Sequence, residues 1–209
     1  MTDKNDFADG IREHAADGSS PAYRAPGRRS WTETVMHRWP TAVGVAVAAL
    51  TAFDLQDGRE LAALTVLMPL VYLGAAVLDR RWSAWVVLLA GIAVLTLVPS
   101  TPQVVPSVGF LVAALVFLAL GVARGQWRKP GGLPLQTVGM LAFGSIVLVA
   151  LYVEPVLGGV LVAIGLIGHA AWDAYHYLRD RVVARSYAEF CAVLDLLVGA
   201  AVLFVLFTA

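Results

Sequence analysis

Seven long runs of apolar residues, separated by short polar connections, dominate this chain of 209 residues. Each run is close to the roughly 20 residues that a helix needs to cross the hydrocarbon core of a bilayer. Backbone groups in lipid find partners only in a helix or a closed barrel, and runs of this length favour helices. The sequence therefore predicts an all-α, polytopic membrane protein with seven transmembrane helices. The predicted spans cover residues 39–54, 60–78, 82–99, 105–124, 133–153, 155–178 and 187–208.

The composition agrees with lipid as the main solvent and partner of this chain. Hydrophobic residues make up 59% and charged residues only 14%, whereas soluble domains carry roughly 25% charged residues. The formal net charge is zero, which argues against a nucleic-acid partner. A single cysteine, Cys191, excludes an internal disulfide and a metal site built from several cysteines.

The predicted domain organisation has two parts. Residues 1–30 are polar and rich in Gly, Ser, Asp and Arg, which is typical of a disordered tail. They lack the apolar stretch and the small-residue cleavage site of a secretory signal. Residues 31–209 form the predicted seven-helix transmembrane domain.

Basic residues alternate between the two sides of the predicted bundle. They are enriched before the first span and in the second, fourth and sixth connections, and nearly absent from the other connections. Because cytoplasmic loops carry the excess of Lys and Arg, the tail is predicted inside and the C-terminus outside. Thirteen of the fifteen basic residues are Arg, a bias typical of GC-rich bacterial genomes, so we expect a multi-pass protein of the bacterial inner membrane.

The sixth predicted span ends in a stripe of titratable residues. His169, Asp173, His176 and Asp180 are spaced by four, three and four residues, so they share one helix face roughly 60° wide. The last span presents Asp195 on one face with Tyr187 and Cys191. Short connections make consecutive helices antiparallel neighbours, so the sequence predicts that these two faces meet.

Ionisable residues at membrane depth are costly and are usually functional. Imidazole and carboxylate groups together suit zinc, iron or manganese. We therefore predict that this polar cluster binds a divalent metal such as zinc, or the polar head group of a lipid or small-molecule ligand. The predicted metal ligands are His169, Asp173, His176 and Asp195. The side chains expected around them are Tyr175, Tyr187 and Glu189.

The sequence also allows two other functions for the polar cluster. In the first, the protein is a small proton- or ion-coupled transporter, or a subunit of one, in which Asp173 and Asp195 carry the ion. In the second, the cluster only locks two helices together, and the protein is an accessory subunit of a membrane protein partner. The chain has no Gly-x-Ser-x-Gly motif and no phosphate-binding loop with Lys, so no enzyme class is indicated.

Two sequence segments carry a resemblance to known proteins. The segment HAAWDAYH at 169–176, followed by RSYAEFCAVLD at 185–195, resembles seven-helix integral membrane proteins of actinobacterial type that have no assigned activity. The resemblance covers the final third of the chain, and it implies the fold without implying a reaction.

Overall fold

The computed structural model describes residues 38–97, 102–129 and 131–208, and all regular secondary structure in these residues is helical. The predicted disordered tail of residues 1–30 lies outside the described residues. The seven predicted helices are confirmed in this part of the chain, with ends that differ from the prediction by a few residues. They are α1 (Trp39–Phe53), α2 (Ala62–Leu78), α3 (Ser83–Leu97), α4 (Val104–Ala123), α5 (Leu133–Tyr152), α6 (Pro155–Arg179) and α7 (Arg185–Thr208).

Five of these helices are long and apolar enough to cross a membrane: α2 with the 3₁₀ turn Arg59–Leu61 that precedes it, α4, α5, α6 and α7. These five have 20 to 25 residues, which corresponds to about 30 Å or more at roughly 1.5 Å per residue. By contrast, α1 and α3 have 15 residues each and span about 22 Å. The described part is thus a multi-pass helical bundle, and the crossing by α1 and α3 stays a prediction.

Local sequence explains where several helices begin and end. Proline occupies the first turn of α1, α5 and α6, where its missing N–H costs no hydrogen bond. Glu154 caps α6, because its carboxylate accepts from the backbone N–H groups of Val156 and Leu157 at 3.0 and 2.6 Å. At the opposite ends, Asp79 and Asp180 adopt the left-handed conformation that stops α2 and α6.

Helix α2 lies at the centre of the bundle. It packs against α3, α4, α5 and α6, and nearly all of its side chains are buried. The outer helices turn leucine and valine outward, as in Leu115 on α4, which is 65% exposed. An apolar outer surface of this kind suits lipid and not water, so the described residues show the burial pattern of a membrane bundle.

The prediction that all consecutive helices are neighbours is only partly confirmed. Helices α5, α6 and α7 pack in sequence, but α1 packs mainly against α7, and α4 packs mainly against α2. The physical reason is that α2 takes the central position and contacts several partners at once. A short connection limits the distance between two helix ends, but it does not fix which helix faces touch.

The most extensive contact between two helices is that of α6 with α7, and Gly199 allows this approach. A Cβ atom at position 199 would lie 2.8 Å from Ile167 Cγ1 and 3.1 Å from the carbonyl oxygen of Ala163. Only glycine fits such a contact without displacing the backbone of α6. Asp195, one turn earlier on α7, is thereby held directly against α6.

One end of the bundle collects the basic connections, and we call it the basic end. Arg81 pairs with Asp180 at 2.9 Å and Lys129 pairs with Asp79 at 2.6 Å, so the connections that follow α2, α4 and α6 meet there. The start of α1 joins them, because Arg38 lies 3.4 Å from Glu189 at the start of α7. These basic connections therefore meet at one end of the described bundle, while the topology in a membrane stays a prediction.

Candidate buried cation site

Three titratable side chains converge between α6 and α7: His169, Asp173 and Asp195. They are 1%, 0% and 1% exposed, and one ligand atom from each lies within 4.8 Å of the other two. The spacing of His169 and Asp173 places both on one face of α6, and Asp195 reaches them from α7. We call these three residues the His/Asp cluster.

The imidazole of His169 is the centre of the His/Asp cluster. Its Nδ1 atom lies 2.9 Å from Asp195 Oδ2 and 3.2 Å from Asp173 Oδ2. A carboxylate oxygen only accepts, so Nδ1 donates a proton to these oxygens when no metal is bound. Two carboxylates therefore share one ring nitrogen, which is the arrangement of atoms that a cation would bridge.

Tyr72 on the central helix α2 completes the surroundings of Asp173. Its hydroxyl donates to Asp173 Oδ1 at 2.5 Å, and Tyr72 is itself 1% exposed. The sequence does not reveal this pairing, because Tyr72 and Asp173 lie 101 residues apart on helices that no short connection joins. A tyrosine in the middle of an apolar span is a usable signal, since a buried phenol almost always has a hydrogen-bond partner.

His176, predicted as a fourth ligand, is buried but lies outside the His/Asp cluster. Its Nδ1 atom is 2.9 Å from the carbonyl oxygen of Trp172, and its Nε2 atom is 2.9 Å from Gln136 Nε2. The carbonyl requires a proton on Nδ1, so Nε2 accepts from the Gln136 amide. Both ring nitrogens are thus occupied by protein groups. Gln136 on α5 is a second partner that the sequence alone does not indicate.

The predicted surrounding side chains divide into two groups. Tyr187 is fully buried and packs edge-on against Tyr72, with ring centroids 5.9 Å apart. Its hydroxyl and the Cys191 thiol both lie 4.0 Å from Met68 Sδ. Tyr187 therefore belongs to the wall around the cluster, and Cys191 is a packing residue in that wall.

Glu189 and Tyr175 point away from the His/Asp cluster. Glu189 accepts from the Thr41 hydroxyl at 2.5 Å and ties the start of α7 to α1. The ring of Tyr175 is 44% exposed and lies under the guanidinium of Arg179 at 5.6 Å. Glu189 thus contacts another helix, and Tyr175 contacts a residue of its own helix.

Two buried atoms of the His/Asp cluster have no hydrogen-bond partner among the described residues: His169 Nε2 and Asp195 Oδ1. Most buried polar atoms in proteins have a partner, so an exception calls for an explanation. The ring next to His169 is the apolar Phe143, at a centroid distance of 5.1 Å. A free carboxylate oxygen in such surroundings is a strong ligand for a proton or a metal ion.

The fold and this site together define a class: a multi-pass helical membrane bundle with a sealed His/Asp cluster between two helices. Comparisons with protein-family models, with curated proteins and with solved structures give no match. The assignment of a function therefore depends on the chemistry of the site itself.

Proposed function

We propose that this chain is a multi-pass membrane protein that binds a divalent metal ion, such as zinc, in the His/Asp cluster. One observation carries the proposal, namely the convergence of three ligand atoms from His169, Asp173 and Asp195 within 4.8 Å. Imidazole and carboxylate groups are both ligands of zinc, and of iron and manganese. Three protein ligands leave room for a fourth donor, as in open zinc sites.

The charges of the cluster support a bound cation. Two ionised carboxylates carry two negative charges, and a protonated imidazole supplies only one positive charge. No Lys or Arg of the described residues pairs with Asp173 or Asp195. A charge buried without a partner is costly, so the cluster requires either a dication beside a neutral imidazole or one further proton.

The surroundings of the cluster also suit a metal site. Ligating carboxylates are usually fixed by hydrogen bonds from neighbouring residues, and the Tyr72 hydroxyl supplies such a bond to Asp173 Oδ1. The unpartnered Oδ1 atom of Asp195 provides additional ligand capacity. Because the three side chains are at most 1% exposed, a single ion fits this site better than a lipid head group.

The predicted ligand set is narrowed by this geometry. The proposal keeps His169, Asp173 and Asp195 and leaves out His176, whose nitrogens contact Gln136 and Trp172. His176 then serves to hold α5 against α6. We also infer that α1 and α3 cross the bilayer and that the basic end faces the cytoplasm, as the basic connections predict. The excess of Arg over Lys favours the bacterial inner membrane as the location.

Elemental analysis of the purified full chain tests the metal proposal. Protein expressed with zinc and purified without chelators should hold about one zinc per chain, and His169→Gln or Asp195→Asn should lower this content at least about tenfold. The matched control is His176→Gln, which changes a buried histidine of the same helix and should retain the metal.

A second measurement uses only the wild-type protein, so its result does not depend on whether a variant folds. Chelator-stripped wild-type protein should gain thermal stability when zinc is added, because a ligand that binds only the folded state stabilises it. Absence of metal from the wild type together with absence of a zinc-dependent shift contradicts the proposal. Equal metal loss in the His176→Gln control assigns the effect to unfolding of the helix pair and also contradicts it.

Proton-coupled transport is a second candidate, and a series of neighbouring polar side chains, joined by hydrogen bonds except at one ring contact, favours it. From the basic end inward, Gln136 contacts His176, the His176 ring packs against Tyr72 at 4.7 Å, and Tyr72 donates to Asp173. Asp173 in turn contacts His169, which contacts Asp195. Such chains of Asp and His residues are typical of proton relays in membrane transporters.

Proteoliposomes distinguish the two candidates. A relay predicts proton flux, reported by a pH-sensitive dye inside the vesicles, that is lost in Asp195→Asn and strongly reduced in Tyr72→Phe. A metal centre or a purely structural cluster predicts no such flux in the wild type. The accessory role with a membrane protein partner stays a prediction, and it is favoured if the wild type shows neither zinc nor flux.

A further inference from the structure

A cavity of about 390 Å³ opens at the basic end, separate from the His/Asp cluster. Its walls come from the connections that follow α2, α4 and α6, together with the last turn of α2 and the first turn of α5. This volume lies within the range of roughly 300–1,000 Å³ that is typical of ligand sites. Three connections that are distant in sequence thus build one concave surface.

The walls of this cavity are strongly cationic. Four basic side chains, Arg80, Arg81, Lys129 and Arg181, line it against one carboxylate, Asp79. Lys129 is paired with Asp79, and Arg81 is paired with Asp180 outside the lining. Within the described part of the chain, Arg80 and Arg181 form no ion pair. The cavity therefore offers two guanidinium groups for an anion.

The start of α5 adds one backbone donor to the same wall. Gly132 is the N-cap residue of α5 and has no side chain that could cap the helix. Its own N–H donates to the Lys129 carbonyl at 3.1 Å and Pro134 has no N–H, so Leu133 supplies the donor next to the cavity, where the helix dipole favours negative charge. Gly131, Gly132 and Leu133 all line the cavity, so this helix end opens into it.

A strained turn holds Arg181 over this helix end. Val182 has a φ of 69°, which is costly for a β-branched residue, and the Val183 N–H donates to the Arg181 carbonyl at 2.8 Å. Arg181 Nη1 lies 3.6 Å from the position that a Cβ would take at Gly131. The guanidinium of Arg181 therefore lies beside the start of α5.

We propose that this cavity is a binding site for a phosphate group. A guanidinium group can bind two phosphate oxygens through two parallel N–H···O bonds. Helix N-termini bind phosphates through backbone N–H groups. Basic pockets between membrane helices bind the head groups of anionic lipids. The phosphate could belong to such a head group or to a soluble phosphate, and both share the chemistry that the walls recognise.

Binding to the full chain in detergent tests this site. Dioleoyl phosphatidylglycerol and inorganic phosphate serve as the two probes, with dioleoyl phosphatidylcholine as the zwitterionic reference, and the readouts are native mass spectrometry and the thermal melting curve. The wild type should bind phosphatidylglycerol in preference to phosphatidylcholine. The double variant Arg80→Gln, Arg181→Gln should lose about tenfold in affinity per guanidinium removed.

A charge-matched control separates the cavity from general surface charge. Arg124→Gln, Arg128→Gln removes two arginines from a basic connection without touching the cavity lining and should bind like the wild type. Binding of phosphatidylglycerol alone assigns the phosphate to a lipid, and binding of inorganic phosphate as well assigns it to a site that is open to soluble anions. No preference in the wild type, or equal loss in the control, overturns the proposal.

Discussion

The hydroxyl of Tyr72 donates a 2.5 Å hydrogen bond to Asp173 across 101 residues of sequence. It connects the central helix α2 to α6 at the depth of the His/Asp cluster. Because Asp173 is completely buried, this bond satisfies a carboxylate oxygen that water does not reach. The contact makes the conformation of the cluster dependent on the position of α2.

Tyr72→Phe should therefore destabilise the protein although it removes only one oxygen atom. A buried acceptor left without its donor costs about 1–3 kcal/mol, and more when it is charged. Unfolding in mixed micelles measures the change, with Tyr175→Phe as the control, because Tyr175 is exposed and its hydroxyl makes no hydrogen bond among the described residues. A loss below about 0.5 kcal/mol would show that the bond is dispensable.

His169 and Asp195 should be energetically coupled. In the metal-free protein, His169→Gln removes the Nδ1–H donor that both carboxylates share, and a buried acceptor left without its donor costs about 1–3 kcal/mol, and more when it is charged. Adding Asp195→Asn removes one of these charges, so the double variant should lose less than the sum of the single variants. The coupling energy expected from a double-mutant cycle is about 0.5–3 kcal/mol. Strict additivity would contradict a direct interaction.

Gly199→Ala should loosen the contact between α6 and α7. The new methyl group would meet the Ala163 carbonyl oxygen at 3.1 Å, and overpacking of this kind costs about 1–3 kcal/mol. Gly109→Ala is the control, since a Cβ at position 109 meets nothing within 4 Å. Thermal melting of the two variants measures the difference, and equal melting temperatures would refute the close approach.

Asp180→Asn should have little effect on stability. Asp180 is about half exposed where it pairs with Arg81, and exposed ion pairs contribute about 0–1 kcal/mol. Asparagine also tolerates the left-handed backbone at this position, where φ is 48°. The free energy of unfolding is measured for Asp180→Asn and for Asp195→Asn, and the two losses are compared. A loss as large as that of the buried variant would assign Asp180 a role beyond its surface pair.

Much of the helical architecture could be predicted from the sequence, because apolar runs of this length in lipid leave the backbone few alternatives. The pairing of His169 with Asp195 could also be predicted, since a short connection and helical spacing place both at one depth. The position of α2 could not be predicted in this way. Its residues are as apolar as those of α4, and hydrophobicity does not distinguish a buried span from a lipid-facing span.

The partners from distant helices could not be predicted either. Helical periodicity gives the face on which His176 lies, but it does not reveal that Gln136 of α5 contacts the same ring. The same limit applies to Asp79 and Lys129, whose side chains form a hydrogen bond although 50 residues separate them in the sequence. Their contact follows from the packing of α2 with α4 and α5, which a single sequence does not encode in any local pattern.

The burial of α2 has a consequence for the order of membrane insertion. Synthesis proceeds from the N-terminus, so we expect α2 to enter the bilayer before α4 to α7 are synthesised and to be surrounded first by acyl chains. Its leucines and valines suit that early environment, whereas the Tyr72 hydroxyl obtains its acceptor only after α6 has been inserted. Docking of the later helices therefore replaces lipid around α2, and a nascent chain truncated before Asp173 should leave this hydroxyl without its acceptor.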